Sequence, residues 1–156
     1  MNQTFFLDSS AIVKLSLNEL GSEWLRREIL PKEGPLYAVR IAAVEVVSAI
    51  ARRRKAKLLP AETASVLIDQ FWDEFEDRFI VLEVSPFLAT YAMNIADIYG
   101  LRAYDAIQLA AAVDANDQRR YWNLSPLTFL SSDRELNDAA RREGLAVDDP
   151  NDHPSL

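Results

Sequence analysis

The sequence predicts an α/β protein with a mainly parallel sheet of four or five strands and helices on both of its faces. Short apolar stretches alternate along the chain with longer stretches whose apolar residues recur every three or four positions, as in strands and helices respectively. This alternation favours a parallel sheet, because parallel strands are joined through helices. The chain has 156 residues, of which 49% are hydrophobic, enough for one buried core.

In the first half of the chain, Thr4–Leu7 stops at an acid and Leu36–Val39 follows a proline, as expected of two buried strands. Ser22 is the expected N-cap of one helix. Val44 and Val47 are predicted to lie on the apolar face of another. The predicted helices are Ser10–Leu17, Ser22–Leu30, Ile41–Lys57 and Pro60–Asp77.

The second half contains three further predicted strands and three helices, two of which end at glycines. The polar and aromatic stretch 116–126 is predicted to be a loop. We expect one domain over residues 1–148 and a loosely ordered acidic tail over residues 149–156. The strands are Phe79–Val84, Leu127–Leu130 and Leu145–Val147, and the helices are Pro86–Tyr99, Ala103–Ala115 and Asp133–Glu143.

The composition restricts the chemistry that the chain can perform. It has no cysteine and only one histidine, His153, so disulfides, thiolate metal sites, multi-histidine zinc sites and a histidine base inside the fold are excluded. A metal ion would have to be a hard cation held by oxygens. The net charge of −7 argues against broad nonspecific nucleic-acid binding, but a cation-binding carboxylate site adds negative charge itself.

The sequence indicates no membrane partner. No apolar stretch approaches the roughly 20 residues that a membrane span requires. The start of the chain also lacks the basic residues that precede the apolar part of a signal peptide. We therefore expect a cytoplasmic protein.

Two acids follow predicted strands directly. Asp8 and Asp133 come at carboxyl ends of strands, where ligands bind in open α/β sheets. Asp8 could instead cap the next helix, although either of the two serines after it could do so equally well. Asp133 also fits a capping box that begins at Ser132. That arrangement would fix the acid at the sheet edge and aim backbone N–H groups at a phosphate.

Two more acids lie on predicted apolar helices. Glu45 is the only charge in its apolar stretch, and it could also be a boundary residue whose carboxylate reaches solvent. Asp105 shares an apolar stripe with Leu101 and Leu109. Because a buried carboxylate is costly without a partner, a cation or a hydrogen-bond network should lie beside Asp105. A buried pair with Arg102 or another basic residue is the alternative to a metal ion.

If these four acids converge on one cleft, they must repel one another unless a divalent cation neutralises them. Mg²⁺ or Mn²⁺ in such a cluster supports phosphodiester hydrolysis by activating water and stabilising the charge that develops. No protein nucleophile is then needed. The residues therefore favour a metal-dependent nuclease.

The stretches around these acids resemble those of PIN-domain ribonucleases of the VapC type, which are toxins of bacterial and archaeal toxin–antitoxin pairs. The resemblance implies a three-layer α/β/α fold, dependence on Mg²⁺ or Mn²⁺ and endonucleolytic cleavage of RNA. It also implies a homodimer that is inhibited by a small cognate antitoxin. The stretches are Leu7-Asp8-Ser9-Ser10-Ala11, Val44-Glu45-Val46, Leu101-Arg102-Ala103-Tyr104-Asp105-Ala106-Ile107-Gln108-Leu109-Ala110 and Phe129-Leu130-Ser131-Ser132-Asp133-Arg134-Glu135-Leu136.

The resemblance also implies roles for individual residues. Ser10 and Ser131 match small hydroxyl positions that support the ligands, and Gln108 stands where many relatives have a histidine. The catalytic acids would be Asp8, Glu45, Asp105 and Asp133, and the metal ligands Asp8, Asp105 and Asp133. The basic candidates for RNA contact are Arg52, Arg53, Arg54, Lys55, Arg119 and Arg120, each of which could instead be a solvated surface residue.

Two other classes compete with this interpretation. One is a catalytically inactive PIN-like module that only binds a partner protein, which the presence of all four acids disfavours. The other is an aspartate-based phosphatase or receiver domain. The phosphatase pattern needs a second acid two residues after Asp8, and the receiver pattern needs a late lysine, whereas the last lysine is Lys57.

Overall fold

The computed structural model describes residues 2–154 and contains a five-stranded sheet in the order β3-β2-β1-β4-β5. All four pairs of neighbouring strands are parallel. Helices cover the sheet in a three-layer α/β/α fold, so the predicted fold class is confirmed. The strands are β1 Thr4–Leu7, β2 Leu36–Val39, β3 Ile80–Leu82, β4 Leu127–Leu130 and β5 Ala146–Asp148.

The helices follow the predicted order with altered ends. A π-helical turn, Leu25–Ile29, continues the second helix, whose N-cap is Gly21, not Ser22 as predicted. Among the helices of residues 2–154, none is long and apolar enough to cross a membrane. The helices are α1 Ser9–Ser16, α2 Ser22–Trp24, α3 Arg40–Lys55, α4 Ala61–Arg78, α5 Pro86–Tyr99, α6 Ala103–Tyr121 and α7 Arg134–Arg142.

Helix α6 runs six residues further than predicted, through part of the expected loop. Two polar residues of this extension are buried and hydrogen-bonded. The Asn116 Oδ1 atom accepts a hydrogen bond from the Leu127 backbone N–H at 3.0 Å. Arg119 donates to the Ser125 carbonyl oxygen at 2.7 Å. Polar residues with internal partners of this kind can occupy a buried helix face, although their sequence resembles that of a loop.

Strand β1 lies at the centre of the sheet and positions the candidate site. All four of its residues are buried, as expected for a parallel strand covered on both faces. Its partner on one side is β2 and on the other β4, so the chain order reverses beside β1. In open α/β sheets, ligands bind outside the strand ends at such a point.

The expectation of a loosely ordered tail is wrong for residues 149–154. Pro150–Asp152 form a 3₁₀ helix, and Pro150 is buried. His153 stacks on Trp24 with ring centroids 3.8 Å apart and lies 2.7 Å from the Asp148 carboxylate. Pro150 packs closely against Gly21, where a Cβ atom would collide with the Pro150 carbonyl oxygen. The last two positions, 155 and 156, lie outside the described residues.

Candidate active site

All four sequence-predicted acids line one cleft of about 740 Å³. Asp8 follows β1 and Asp133 precedes α7, while Glu45 and Asp105 project from α3 and α6. The register of the sheet pairs Leu7 with Leu130, so β1 and β4 end at the same level. This alignment brings acids that are far apart in sequence to one edge of the sheet.

Asp8 is 3% exposed and is held by three hydrogen-bond donors. The Ser131 hydroxyl donates to its Oδ2 atom at 2.6 Å, and the Ser10 hydroxyl donates to its Oδ1 atom at 2.7 Å. The Ala11 backbone N–H also donates to Oδ1, at 2.9 Å. Asp8 is therefore the N-cap of α1 itself, contrary to the expectation that a neighbouring serine would leave it free. Asp8 lines the cleft while it caps α1, so the capping hydrogen bond fixes the orientation of this carboxylate and does not remove it from the site.

Burial raises the pKa of Asp8 from 3.8 to about 7. Removal from water is the largest cause, and repulsion from Glu45 adds to it. The hydrogen bonds from Ser131, Ser10 and Ala11 act in the opposite direction, because they favour the ionised form. Asp8 is thus a buried carboxylate whose charge three donors compensate only in part.

The end of β4 is tied to the start of α1. The Ser132 backbone N–H donates to the Ser10 hydroxyl oxygen at 2.9 Å, and the Asp133 N–H donates to Ser131 Oγ at 3.1 Å. Asp133 caps α7 by accepting from the Leu136 N–H at 3.0 Å. The predicted capping role of Ser132 is wrong, because its buried hydroxyl has no hydrogen-bond partner among the described residues.

Glu45 is held by two residues that sequence reasoning did not assign to the site. The Ser9 hydroxyl donates to Glu45 Oε2 at 3.0 Å, and the Gln108 amide donates to Oε1 at 2.9 Å. Gln108 is 1% exposed. The sequence did contain a signal for this contact: Gln108 lies one turn after Asp105 in an alanine-rich helix, and a buried amide needs a hydrogen-bond partner.

Asp105 is half-buried, and its pKa is raised from 3.8 to about 6. Burial is the largest cause, followed by repulsion from Asp133 and then from Glu45. The charge of Arg102 lowers the pKa but does not offset these effects. Arg102 therefore does not neutralise Asp105 as a buried ion-pair partner would.

The donor atoms in the cleft suit a hard divalent cation. All of them are oxygens, which Mg²⁺ and Mn²⁺ prefer. Burial and mutual repulsion raise the pKa values of two of the acids, and a bound cation would relieve that repulsion. Within residues 2–154, no three histidine or acidic side chains are close enough to form a metal-ligand cluster. The fit therefore rests on the chemistry of the donors.

The basic residues predicted to contact RNA lie in different environments in the structure. Arg52 lines the cleft, whereas Arg53 pairs with Glu19 and Arg54 is exposed outside the cleft lining. The prediction is wrong for Arg119, because its side chain is buried and donates to Ser125 and Tyr37. Arg102, which sequence analysis considered only as a partner of Asp105, also lines the cleft.

The fold and the cleft together define an α/β protein with a carboxylate site suited to a divalent cation. The sequence matches the family profile of the PIN domain over residues 5–142. The chain therefore belongs to the PIN domain family, which confirms the resemblance that the motifs indicated. PIN domains are generally nucleases and generally use divalent metal ions.

Several solved structures are similar to this chain. FitAB bound to the IR36 DNA fragment has 22% identity and a TM-score of 0.64, with 97% of this chain and 98% of that chain covered. FitAcB from Neisseria gonorrhoeae has 22% identity and a TM-score of 0.62, with 94% of this chain and 97% of that chain covered. VapBC2 from Rickettsia felis bound to a promoter DNA fragment has 14% identity and a TM-score of 0.62, with 94% of this chain and 98% of that chain covered. At these identities the likeness shows the fold alone. A comparison with curated proteins found no match.

Proposed function

We propose that this chain is an endoribonuclease that requires Mg²⁺ or Mn²⁺ and acts as the toxin of a toxin–antitoxin pair. The observation that carries the proposal is the convergence of Asp8, Glu45, Asp105 and Asp133 on one cleft at the point where the strand order reverses. Helix capping accounts for Asp8 and Asp133, but Asp105 is half-buried and repelled by Asp133 and Glu45. It has no ion-pair partner within residues 2–154, so a bound cation is the simplest reason for its position.

The three aspartates, Asp8, Asp105 and Asp133, would hold the cation. When bound, it would supply a Lewis acid for the phosphodiester and lower the pKa of water. Ser10 and Ser131 fix the Asp8 carboxylate through the hydrogen bonds described above. Glu45 lines the same cleft, and its carboxylate accepts hydrogen bonds from Ser9 and Gln108. These contacts support the role of proton acceptor that we assign to it.

Arg52 and Arg102 are the candidates for backbone phosphate contacts. Both line the cleft, and neither forms an ion pair within the described part of the chain. Arginine binds phosphate oxygens through two parallel N–H groups. Two arginines beside the acids would hold RNA locally, which is compatible with the net charge of −7 because no broad basic face is then required.

The VapC-type motifs and the VapBC and FitAB structures support a small antitoxin partner and a homodimer. We also propose that the protein acts in the cytoplasm. A neighbouring groove of about 770 Å³, lined in part by Val44, Val47, Phe71 and Trp72, is the surface that we assign to the antitoxin. Trp72 is 72% exposed and Val44 is 65% exposed, and apolar surface of this kind marks interaction sites. Val44 also lines the acid cleft, so a segment bound in the groove could extend to the acids.

The proposal is tested by incubating the purified, antitoxin-free chain with RNA in Mg²⁺, in Mn²⁺ and in chelator. Asp8→Asn and Asp105→Asn serve as variants, and Asp97→Asn, an exposed acid outside the cleft, is the matched control. We expect cleavage that requires the metal and is lost in both cleft variants but not in the control. Metal binding without cleavage of any RNA would favour the inactive interaction module instead.

A further inference from the structure

Tyr104 is an exposed aromatic residue in the acid cleft. It lies in the first turn of α6, one residue before Asp105, and its side chain lines the cleft while 55% exposed. The other large exposed aromatic residues of the described chain lie outside this cleft. They are Trp72, Phe87, Tyr121 and Trp122.

The Tyr104 ring has neither an aromatic nor a cationic partner in the described part of the chain. By contrast, Phe87 packs against Tyr91, and Tyr121 against Trp122. A ring that is 55% exposed in the cleft is accessible to a bound ligand.

The residues around Tyr104 form the parts of a single-stranded nucleic-acid site. Such sites combine cations that follow the phosphate backbone with aromatic rings on which bases stack. Here Arg102 and Arg52 supply the cations, Tyr104 supplies the ring, and Asp105 is the adjacent acid, all in one cleft. Arg102 and Asp105 lie within three residues of each other on either side of Tyr104. A phosphate bound by Arg102, and by the cation proposed at Asp105, would lie in the same cleft as the Tyr104 ring.

We propose that Tyr104 stacks on an unpaired base next to the scissile phosphate and is the residue through which the cleft contacts a base of its RNA substrate. The inference rests on the proposed nuclease function. In a duplex both faces of each base are covered by its neighbours, so a paired base would have to unstack before it could reach the ring. A single-stranded segment offers its bases without that cost.

The test measures RNA binding separately from cleavage. Affinity for a short fluorescent single-stranded RNA and for its duplex is measured in Ca²⁺, with intact RNA verified on a gel. The variants are Tyr104→Ala and Tyr104→Phe, with Tyr121→Ala as an exposed control outside the cleft. We expect Tyr104→Ala to weaken single-strand binding by about 10-fold, within the range for loss of one stacked base. Tyr104→Phe and the control should bind like the parent chain.

A second measurement separates stacking from a structural effect. A series of RNAs carries one abasic site at successive positions. At one position the missing base should weaken binding to the parent chain but not to Tyr104→Ala, because the two changes remove the same contact. The inference would be overturned if each abasic site weakened binding equally in the parent chain and in Tyr104→Ala. It would also be overturned if Tyr104→Ala bound the intact single strand as tightly as the parent chain. Absence of metal-dependent cleavage would instead count against the proposed function, since binding is scored on its own.

Discussion

Replacing Asp8 with asparagine should stabilise the fold increasingly as the pH rises. Asparagine has the same shape, and its Oδ1 atom can still accept from the Ser10 hydroxyl and the Ala11 N–H. Its amide nitrogen would face the Ser131 hydroxyl, which can reverse and accept. The substitution therefore keeps the hydrogen-bond network and removes the buried charge.

The sign follows from the raised pKa of Asp8, about 7 in the folded chain against 3.8 as its ordinary value. A carboxyl whose pKa is raised on folding contributes stability below pH 3.8, and this contribution is lost as the pH rises through 7. At roughly 1.4 kcal/mol per pKa unit, about 4 kcal/mol is lost by pH 8, of which about 2–3 kcal/mol is lost between pH 5 and pH 8. Asparagine at this position has no such pH dependence.

The assay is urea unfolding of the parent chain and Asp8→Asn from pH 5 to pH 8, in chelator so that no cation binds the cleft. The difference in unfolding free energy should shift by about 2–3 kcal/mol in favour of Asp8→Asn across that range. Asp97→Asn, which removes an exposed charge, should show little pH dependence. A difference that stays constant, or that favours the parent chain more as the pH rises, would refute the assigned origin of the pKa shift.

Three further predictions concern other parts of the structure. Gln108→Met removes the hydrogen-bond donor to Glu45 but keeps the side-chain volume. It should lower kcat for RNA cleavage about 10-fold or more, because residues that support the acids orient them. An unchanged kcat would exclude this supporting role of Gln108. Arg52→Ala should raise KM for RNA and reduce its salt dependence, whereas Arg54→Ala, outside the cleft, should change neither. His153→Ala should lower the free energy of unfolding by about 1 kcal/mol through loss of the Trp24 contact, and equal urea midpoints would contradict a docked tail.

The sequence predicted the sheet well because its strands carry a strong signal. A central parallel strand is buried on both faces, so Phe5, Phe6 and Leu7 form a continuous apolar stretch. An acid at the end of that stretch stands out at once. The ordinary rules of helix periodicity were less reliable for α3, where apolar residues occur on several sides. Val44 recurs at helical spacing with Val47, but it is exposed in the cleft.

The contacts that hold the acids could not be predicted, because they join residues far apart in sequence. Ser9 and Gln108 meet at Glu45 only after α1, α3 and α6 have packed together. Ser131 reaches Asp8 across 123 positions, and only the family resemblance, not the residue pattern, indicated its supporting role. Buried polar residues such as Asn116 resemble loop residues until their partners are known. Pattern and composition indicated which acids line the cleft, and packing determines which residues hold them.

The most direct test of the carboxylate-metal nuclease is to measure Mn²⁺ binding and RNA cleavage on the same antitoxin-free preparation. Calorimetry gives the binding isotherm, and the cleavage rate is followed over the same Mn²⁺ concentrations. We predict that the two curves share one midpoint and that Asp105→Asn shifts or abolishes both together. Cleavage that continues in chelator, or that survives Asp105→Asn while metal binding is lost, would contradict the central claim.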